Sequence, residues 1–472
     1  MKKTAVLLII TIALASLAFA SLTDQALSKA LNINNYISQH NLLWKAGANA
    51  KFLEPYEEMG ITSLDQLKKL NGNRSLPEKI KENVFNAFKK GPDKLTTMDD
   101  DLMASFVLLN DAITNPNASF YRLEPIRDQG YHGTCWAFST IASFESAYGV
   151  QIEKNNDGNV NGEIDLSERW VAYHNIDWNI VGIGPIQDSN EDVGGNVYFS
   201  SYNEIRYGNI LEESFPYEPI RYRYTDNIPF YIPKDGIYFY NSVRTGLILS
   251  AAEMEYLGYS YDEYINIIKN AIEKYGSLSV SFSVPADFDW YTHGIYVPTV
   301  ASYAGGHAVT LVGWVDGSDL NKVVLGEKQD SSDTTSITAE ATALYHYYDP
   351  FTEATNTTSL FWIIKNSWSA NWGDYGYYVI PAISKAQYDT GTISYWEIES
   401  DWMFVPLFES ANSTADLDVD GNGTVNADDF KYIINNIGST DDAIINKCDI
   451  AFPKNGKIDG DDVAAWLYLY NK

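Results

Sequence analysis

Cysteine is nearly missing from this sequence: 472 residues contain two, Cys135 and Cys448. So low a count excludes a disulfide scaffold. The two lie in segments of different character, so no bridge between them is expected, and each thiol needs its own explanation. Positive charge is scarce as well. Lys and Arg total 33 against 62 Asp and Glu, for a formal net charge of −29. Such an acidic surface repels nucleic acid and anionic membranes. It suits an extracellular protein or one that binds divalent cations. Beyond the N-terminus no stretch offers the ~18 uninterrupted apolar residues that a membrane span needs. Apolar residues still make up 45% of the chain. That is enough for a sizeable core and argues against wholesale disorder.

The chain divides by composition. Lys2 and Lys3, an apolar run over residues 5–17, and Ala18-Phe19-Ala20 read as a signal peptide spanning 1–20, hence a secreted protein. The competing reading is an uncleaved membrane anchor. Residues 21–112 are polar and helix-prone. Residues 113–408 mix helical and strand patterns and are rich in Tyr, Trp and Gly, which predicts an α+β domain. Within it, residues 317–359 are rich in Ser, Thr and Asp and read as an inserted surface loop. Residues 409–415 form a polar linker, and 416–472 a compact acidic module with an internal repeat.

The chemistry concentrates around Cys135. The segment Gln129-Gly-Tyr-His-Gly-Thr-Cys135-Trp-Ala-Phe-Ser139 places a thiol after a Gly-containing turn and before a helix-compatible run. The positive end of a helix dipole lowers a thiol pKa and favours the reactive thiolate. Gln129, six residues upstream, can donate its amide to an oxyanion beside the Cys135 N–H. A thiol nucleophile needs a base, and the chain has only six histidines. His307 follows Gly305-Gly306 at the start of an apolar strand-like run. Asn366 ends a second such run, where its side-chain carbonyl can hold an imidazole in one tautomer.

These segments resemble the papain family of cysteine peptidases. His132-Gly133-Thr134-Cys135-Trp136 is similar to that family's nucleophile signature, with its first cysteine replaced. Leu166-Ser167-Glu168, Gly194-Gly195, the stretch from Gly208 to Tyr217, Gly276–Val280, Gly294–Tyr296, Asn366-Ser367-Trp368 and Trp372–Tyr377 follow in the family's order. The resemblance covers about residues 118–400. It implies a two-part fold, helical on the left and an antiparallel β-barrel-like right half, and a peptidase hydrolysing protein or peptide substrates without a catalytic cofactor. It also implies roles: Cys135 as nucleophile, His307 as base, Asn366 as its orienting group and Gln129 as oxyanion donor. Gly194 and Gly195 would pair with substrate backbone, and Trp368 would shield the His–Asn bond. The 172-residue separation of Cys135 and His307 exceeds the ~130–150 usual for the downstream partners. Insertions at 151–165 and 317–359 account for the excess. The family's disulfides are missing, and His132 and Asp192 stand at two positions it normally bridges, so an ion pair or hydrogen bond is expected between them. The alternative is an inactive papain-fold protein that only binds peptides.

Trp44-Lys-Ala-Gly-Ala-Asn49 resembles a stretch of cathepsin B-like propeptides. It implies an inhibitory prosegment over the cleft, removed by a cut within roughly 100–118. No paired-histidine occluding loop is present, which implies endopeptidase activity.

Three loops have calcium-binding character. Asp418, Asp420, Asn422, Thr424, Asn426 and Asp429 fall at positions 1, 3, 5, 7, 9 and 12 of an oxygen-donor loop, with Gly423 at the sharp turn. Phe430, Ile433, Ile434 and Ile437 follow at helical spacing. Asn455 to Asp462 repeats the second half of the pattern, with helix residues Val463, Trp466, Leu467 and Tyr470. Two such units resemble a type I dockerin, a small all-α calcium-binding module that attaches to a cohesin-domain protein on a scaffold or cell surface. The second loop departs from the pattern at Ala451 and Pro453. A third candidate runs Asp157, Asn159, Asn161, Glu163, Asp165, Glu168. It reads equally as a calcium loop in the catalytic domain or as a turn.

Overall fold

The computed structural model describes residues 26–47, 93–96, 98, 102, 106–107, 126–130, 132–153, 164–173, 194–206, 208–217, 242, 244–322, 343–408, 417–448 and 450, together with Lys457, Ile458, Val463 and Trp466. The expected signal peptide and the linker lie outside the described residues.

The described residues open with helix α1 (residues 26–39) and strand β1 (Trp44–Ala46). Strands β2 (Asp93–Lys94) and β3 (Phe106–Val107) precede helices α2 (Cys135–Tyr148), α3 (Glu168–Tyr173) and α4 (Val197–Arg206). After β4 (Arg244–Ile248) come α5 (Ala251–Tyr256), α6 (Tyr261–Tyr275), β5 (Leu278–Pro285), β6 (Tyr291–Gly294) and β7 (Tyr303–Asp316). The hairpin β8 (Tyr345–Asp349) and β9 (Ala354–Thr358) leads to β10 (Leu360–Lys365), β11 (Tyr377–Pro381), α7 (Lys385–Thr390) and β12 (Met403–Leu407). Helices α8 (Ala427–Asn435) and α9 (Asp442–Cys448) close the described chain.

Eight strands form the main sheet, ordered β11-β10-β7-β5-β12-β4-β2, with β3 beside β7. Its pairs are antiparallel except β2 with β4. Among the described residues no strand pairing joins β11 to β2, so the right half is an open sheet over these residues. β2 and β3 come from the stretch read as leading region. Lys94 pairs with Leu247, Leu95 is buried, and Asp93 meets Arg244 at 2.9 Å.

Helix α2 lies across this sheet, and 13 of its 14 residues are buried. Small polar side chains make the close approach possible. Ser139 donates to the Val309 carbonyl at 2.6 Å and sits 2.6 Å from the Ser279 hydroxyl. Ser143 donates to the Ser277 carbonyl at 2.6 Å, and Ser277 N–H donates to the Ser146 hydroxyl at 3.0 Å. On β5 the larger residues Leu278, Val280, Phe282 and Val284 alternate with the serines. Both sets are almost wholly buried because both faces of the strand are covered. Gly276, at φ +113°, leads into β5, and a Cβ there would stand 2.7 Å from the Ala147 Cα.

The polar segment 317–359 is only partly the loop its composition suggests. Residues 345–358 form the β8–β9 hairpin, in which Tyr345, Tyr347 and Asp349 alternate inward. Asp349 takes bonds from Phe351 N–H, Thr352, Trp396 Nε1–H and Ser394. Two fully buried glutamates lie near it. Glu397 accepts from Gln387 at 2.6 Å and Ser394 N–H at 2.8 Å; Glu399 accepts from Trp362 Nε1–H at 2.5 Å and Ile383 N–H at 3.0 Å. Desolvation raises both, with Glu399 adding to the rise at Glu397, which reaches about 8 while Glu399 reaches about 7.

The C-terminal module has its own small core of Leu417, Val419, Ile433, Cys448, Ile458 and Trp466. The spacing placed four apolar residues on one buried face, and two of them fail. Ile433 is buried and Phe430 packs against Trp466, but Ile434 and Ile437 are 43% and 50% exposed. Helix α8 ends at Asn435, so its contact stripe is narrow and Ile437 lies beyond it. Neither Cys135 nor Cys448 is in a disulfide, and both are buried.

Two predictions follow from this packing. Gly276→Ala combines strained backbone with a steric clash, and should cost at least about 2 kcal/mol; a melting temperature within 2 °C of wild type would refute this. The raised carboxyls make the folded state hold protons that the unfolded state releases. Their stabilisation is complete below about 4.5 and fades as pH rises through about 7 and 8. Melting between pH 5 and 9 should therefore show a decline that is shallower in Glu397→Gln, and an unchanged slope would refute the assignment.

Candidate active site

Cys135 is the first residue of α2. The Thr134 carbonyl already accepts Ala137 N–H at 2.8 Å, so Cys135 N–H stands at the open, positive end of the helix. Ser139 is bonded to Val309. Four residues back from Ser139 along α2, about 6.0 Å, is Cys135. Two residues back along β7 from Val309, about 6.6 Å, is His307. The thiol and the imidazole therefore occupy the same level of the helix–sheet seam.

His307 is buried at 1% exposure. Its Nε2–H donates to Asn366 Oδ1 at 2.7 Å, and Ser367 N–H donates to that same oxygen at 2.8 Å. Two donors converging on one atom identify it as the amide oxygen. The ring proton is thereby fixed on Nε2, leaving Nδ1 as the second ring nitrogen. Trp368 stacks on the imidazole with centroids 4.6 Å apart at 27°, and Phe282 meets it edge-on at 5.9 Å. Trp368 is itself walled by Trp372 and Phe288. The His–Asn bond is thus sealed from water, which strengthens it.

Gln129 is held at three points. Its N–H donates to the Ser367 carbonyl at 2.9 Å, its Oε1 accepts from Ser367 Oγ at 2.6 Å, and its Nε2 donates to the His132 carbonyl at 2.8 Å. An amide nitrogen has two hydrogens, so one is left for an incoming oxygen. Gly195 lies flat on Trp136, the neighbour of the thiol; a Cβ there would be 2.2 Å from the indole. Gly194 is buried alongside. Asp192 lies outside the described residues; His132 meets the Tyr217 ring edge-on at 6.1 Å.

Sequence reasoning gave no role to Ser367 or Tyr217. Ser367 fixes Gln129 with its hydroxyl and Asn366 with its N–H. Tyr217 donates to the Gln129 carbonyl at 2.9 Å and sits 2.8 Å from the Thr134 hydroxyl, bracing the turn before Cys135. Both lie inside the quoted motifs, but a hydroxyl in a motif does not announce its partner.

Behind Asn366 a small cavity is lined by Arg127, Glu145, Glu168 and Lys365, among others. Burial and the nearby Glu212 push Glu168 up to about 8. Arg127 holds Asp165 at 2.5 Å. Of the six candidate ligands in the loop 157–168, Asp165 and Glu168 are among the described residues. Asp165 is committed to Arg127, while Asp157, Asn159, Asn161 and Glu163 lie outside the described residues.

In the C-terminal loop, carboxylate oxygens of Asp418, Asp420 and Asp429 lie within 4.8 Å of one another. Oxygens bound to one Ca²⁺ at 2.3–2.6 Å are separated by no more than about 5 Å, so the three fit a shared ion. The loop is shaped by Asn422 N–H donating to Asp418 and Asp420, and by Gly423 N–H donating to Asp418. Thr424 N–H donates to Asn422 Oδ1. Asn426 Oδ1 caps α8 by accepting from Asp428 N–H. Most of the second loop lies outside the described residues.

The family model described as papain family cysteine protease matches residues 114–169 and 188–395, more than half the chain. Vivapain-1 of Plasmodium vivax is 25% identical over 252 residues, 53% of this chain and 35% of that protein. Pro-cathepsin H of Medicago truncatula is 25% identical over 260 residues, 54% of this chain and 52% of that protein. The matches thus span from about a third to about half of these relatives' length. Among solved structures, procathepsin B S9 of Trypanosoma congolense aligns with 81% of this chain and 98% of its own, at 17% identity and a TM-score of 0.47. This chain belongs to the papain family of cysteine proteases.

Proposed function

We propose that the chain is a secreted cysteine endopeptidase. The observation that carries this is the His307–Asn366 hydrogen bond, sealed under Trp368 and level with Cys135 at the head of α2. In the proposed cycle the Cys135 thiolate attacks a peptide carbonyl. The oxyanion is met by Cys135 N–H and the remaining Gln129 N–H, and His307 protonates the leaving amine. The thioester is then hydrolysed by water that His307 deprotonates. Asn366 keeps the ring in the required orientation throughout. Gly194 and Gly195 offer a backbone edge to the substrate.

The leading region acts as a prosegment in this reading, supported by the antiparallel pairing of β1 with β6. The expected cut at 100–118 overlaps β3, and a cut that spares that strand falls before Phe106. The C-terminal module is proposed to hold one structural Ca²⁺ through Asp418, Asp420 and Asp429 and to attach the enzyme to a cohesin-domain partner. Bound there, the ion would neutralise the carboxylates and fix the loop ahead of α8.

Processed wild type should cleave an unfolded protein and lose activity to a thiol alkylator. Cys135→Ala should be inactive, and Asn366→Ala should lose roughly 10²-fold in kcat/KM. A processed wild type that neither cleaves nor reacts with the alkylator would overturn the reading in favour of peptide binding alone. Calorimetric titration with Ca²⁺ should show a binding step that disappears in Asp418→Ala while peptidase activity stays; heat unchanged by that substitution would remove the calcium assignment.

A further inference from the structure

The two donors assigned to the oxyanion lie at opposite ends of one turn. Gln129 carries the side-chain amide, and Cys135 N–H follows Thr134 directly. Their spacing is therefore set by whatever fixes residues 129–134. Inside the turn, His132 N–H donates to the Gln129 carbonyl at 3.3 Å, and Gly130 N–H donates to Asp128 Oδ1 at 2.9 Å. Neither of these bonds reaches Thr134.

The Tyr217 hydroxyl reaches both ends. It donates to the Gln129 carbonyl at 2.9 Å, and a phenol has one hydrogen to give. The Thr134 hydroxyl, 2.8 Å from the phenol oxygen, must then be the donor in their bond. One line of donation runs from Thr134 through Tyr217 to Gln129 and clips the turn shut. The ring is gripped separately, by Phe138 edge-on at 4.7 Å and by His132 at 6.1 Å. The residue is also held from behind. Tyr217 N–H donates to Glu212 Oε1 at 2.6 Å, and Glu212 N–H donates to the Asp165 carbonyl at 2.8 Å. Ser167 Oγ donates to the Phe215 carbonyl at 2.5 Å, and the Arg169 guanidinium donates to the Pro216 carbonyl at 3.1 Å. Residues 212–217 are thereby tied to the start of α3, and they present the phenol from a fixed support.

We propose that the Tyr217 hydroxyl is a positioning residue for the hydrolysis, setting the gap between Gln129 Nε2–H and Cys135 N–H at the span a developing oxyanion needs. The proposal rests on the peptidase reading and deepens it. Both donors act on charge that appears only as the carbonyl is attacked. Loss of the clip therefore lowers kcat and leaves substrate binding in place. Thr134 serves as the other half of the clip.

The test compares processed wild type with Tyr217→Phe, which keeps the ring contacts, and with Thr134→Val, which keeps the branched side chain. A peptide aldehyde probes the oxyanion site. The Cys135 sulfur bonds to the aldehyde carbon, the C–O π pair moves onto oxygen, and His307 supplies that oxygen's proton. A dipyridyl disulfide probes the thiol alone. The thiolate forms a new S–S bond and pyridinethiolate leaves, with no oxygen to stabilise. Each variant should lose roughly 10-fold in kcat and in aldehyde affinity, with KM and the disulfide rate within about 2-fold of wild type. The double variant should lose about as much as either single one, because the two hydroxyls act in series. Aldehyde affinity and kcat that stay within about 2-fold of wild type in both variants overturn the proposal. A disulfide rate that falls in step with kcat also overturns it, since the effect would then lie on the thiol. Wild type that cleaves no peptide and takes up neither probe fails the peptidase reading itself, and is told apart from an active wild type whose variants are unaffected.

Discussion

Everything at the proposed catalytic centre depends on how closely helix α2 sits on strands β5 and β7. That spacing is set by serine hydroxyls and by Gly276, which carry no bulk to hold the helix away. A leucine seam would have kept helix and sheet near the ~10 Å separation of ordinary packed layers. Here side-chain hydroxyls reach across to backbone carbonyls, so the two elements are registered by hydrogen bonds as well as by contact. The register matters because Cys135 comes from the helix and His307 from the sheet. Neither side chain could find the other if the seam slipped by one turn.

Much of the site was legible in the sequence because its residues lie in short motifs whose chemistry is local. A cysteine at a helix start, a histidine after two glycines and an asparagine at a strand end can each be read within about ten residues. What could not be read is the long-range bracing. Ser367 and Gln129 are 238 positions apart, yet each completes the other. Composition also misled in two places. The polar stretch 317–359 hides a hairpin, because Tyr345, Tyr347 and Asp349 alternate inward among Ser and Thr. Ile434 and Ile437 fit the apolar periodicity of a buried helix face, but periodicity does not say where the helix stops.

The acidic composition has an unusual internal counterpart. Glu397, Glu399 and Asp349 are fully buried within a short span of the right half, each held by N–H or O–H donors. Burial favours the protonated form of Glu397 and Glu399, and the donors around the cluster limit the cost of burial. The proposed calcium loop differs: it gathers half-buried Asp418 and Asp420 with buried Asp429 beside a separate small core.

That the two buried cysteines form no disulfide has a consequence for the conditions the protein can tolerate. A thiol nucleophile works only while reduced, whereas a fold stapled by disulfides weakens in the reductants that keep such a thiol alive. With no disulfide between Cys135 and Cys448, that conflict does not arise. The reduction potential of the surroundings would then control the proposed turnover alone, with no disulfide between these two cysteines for it to break.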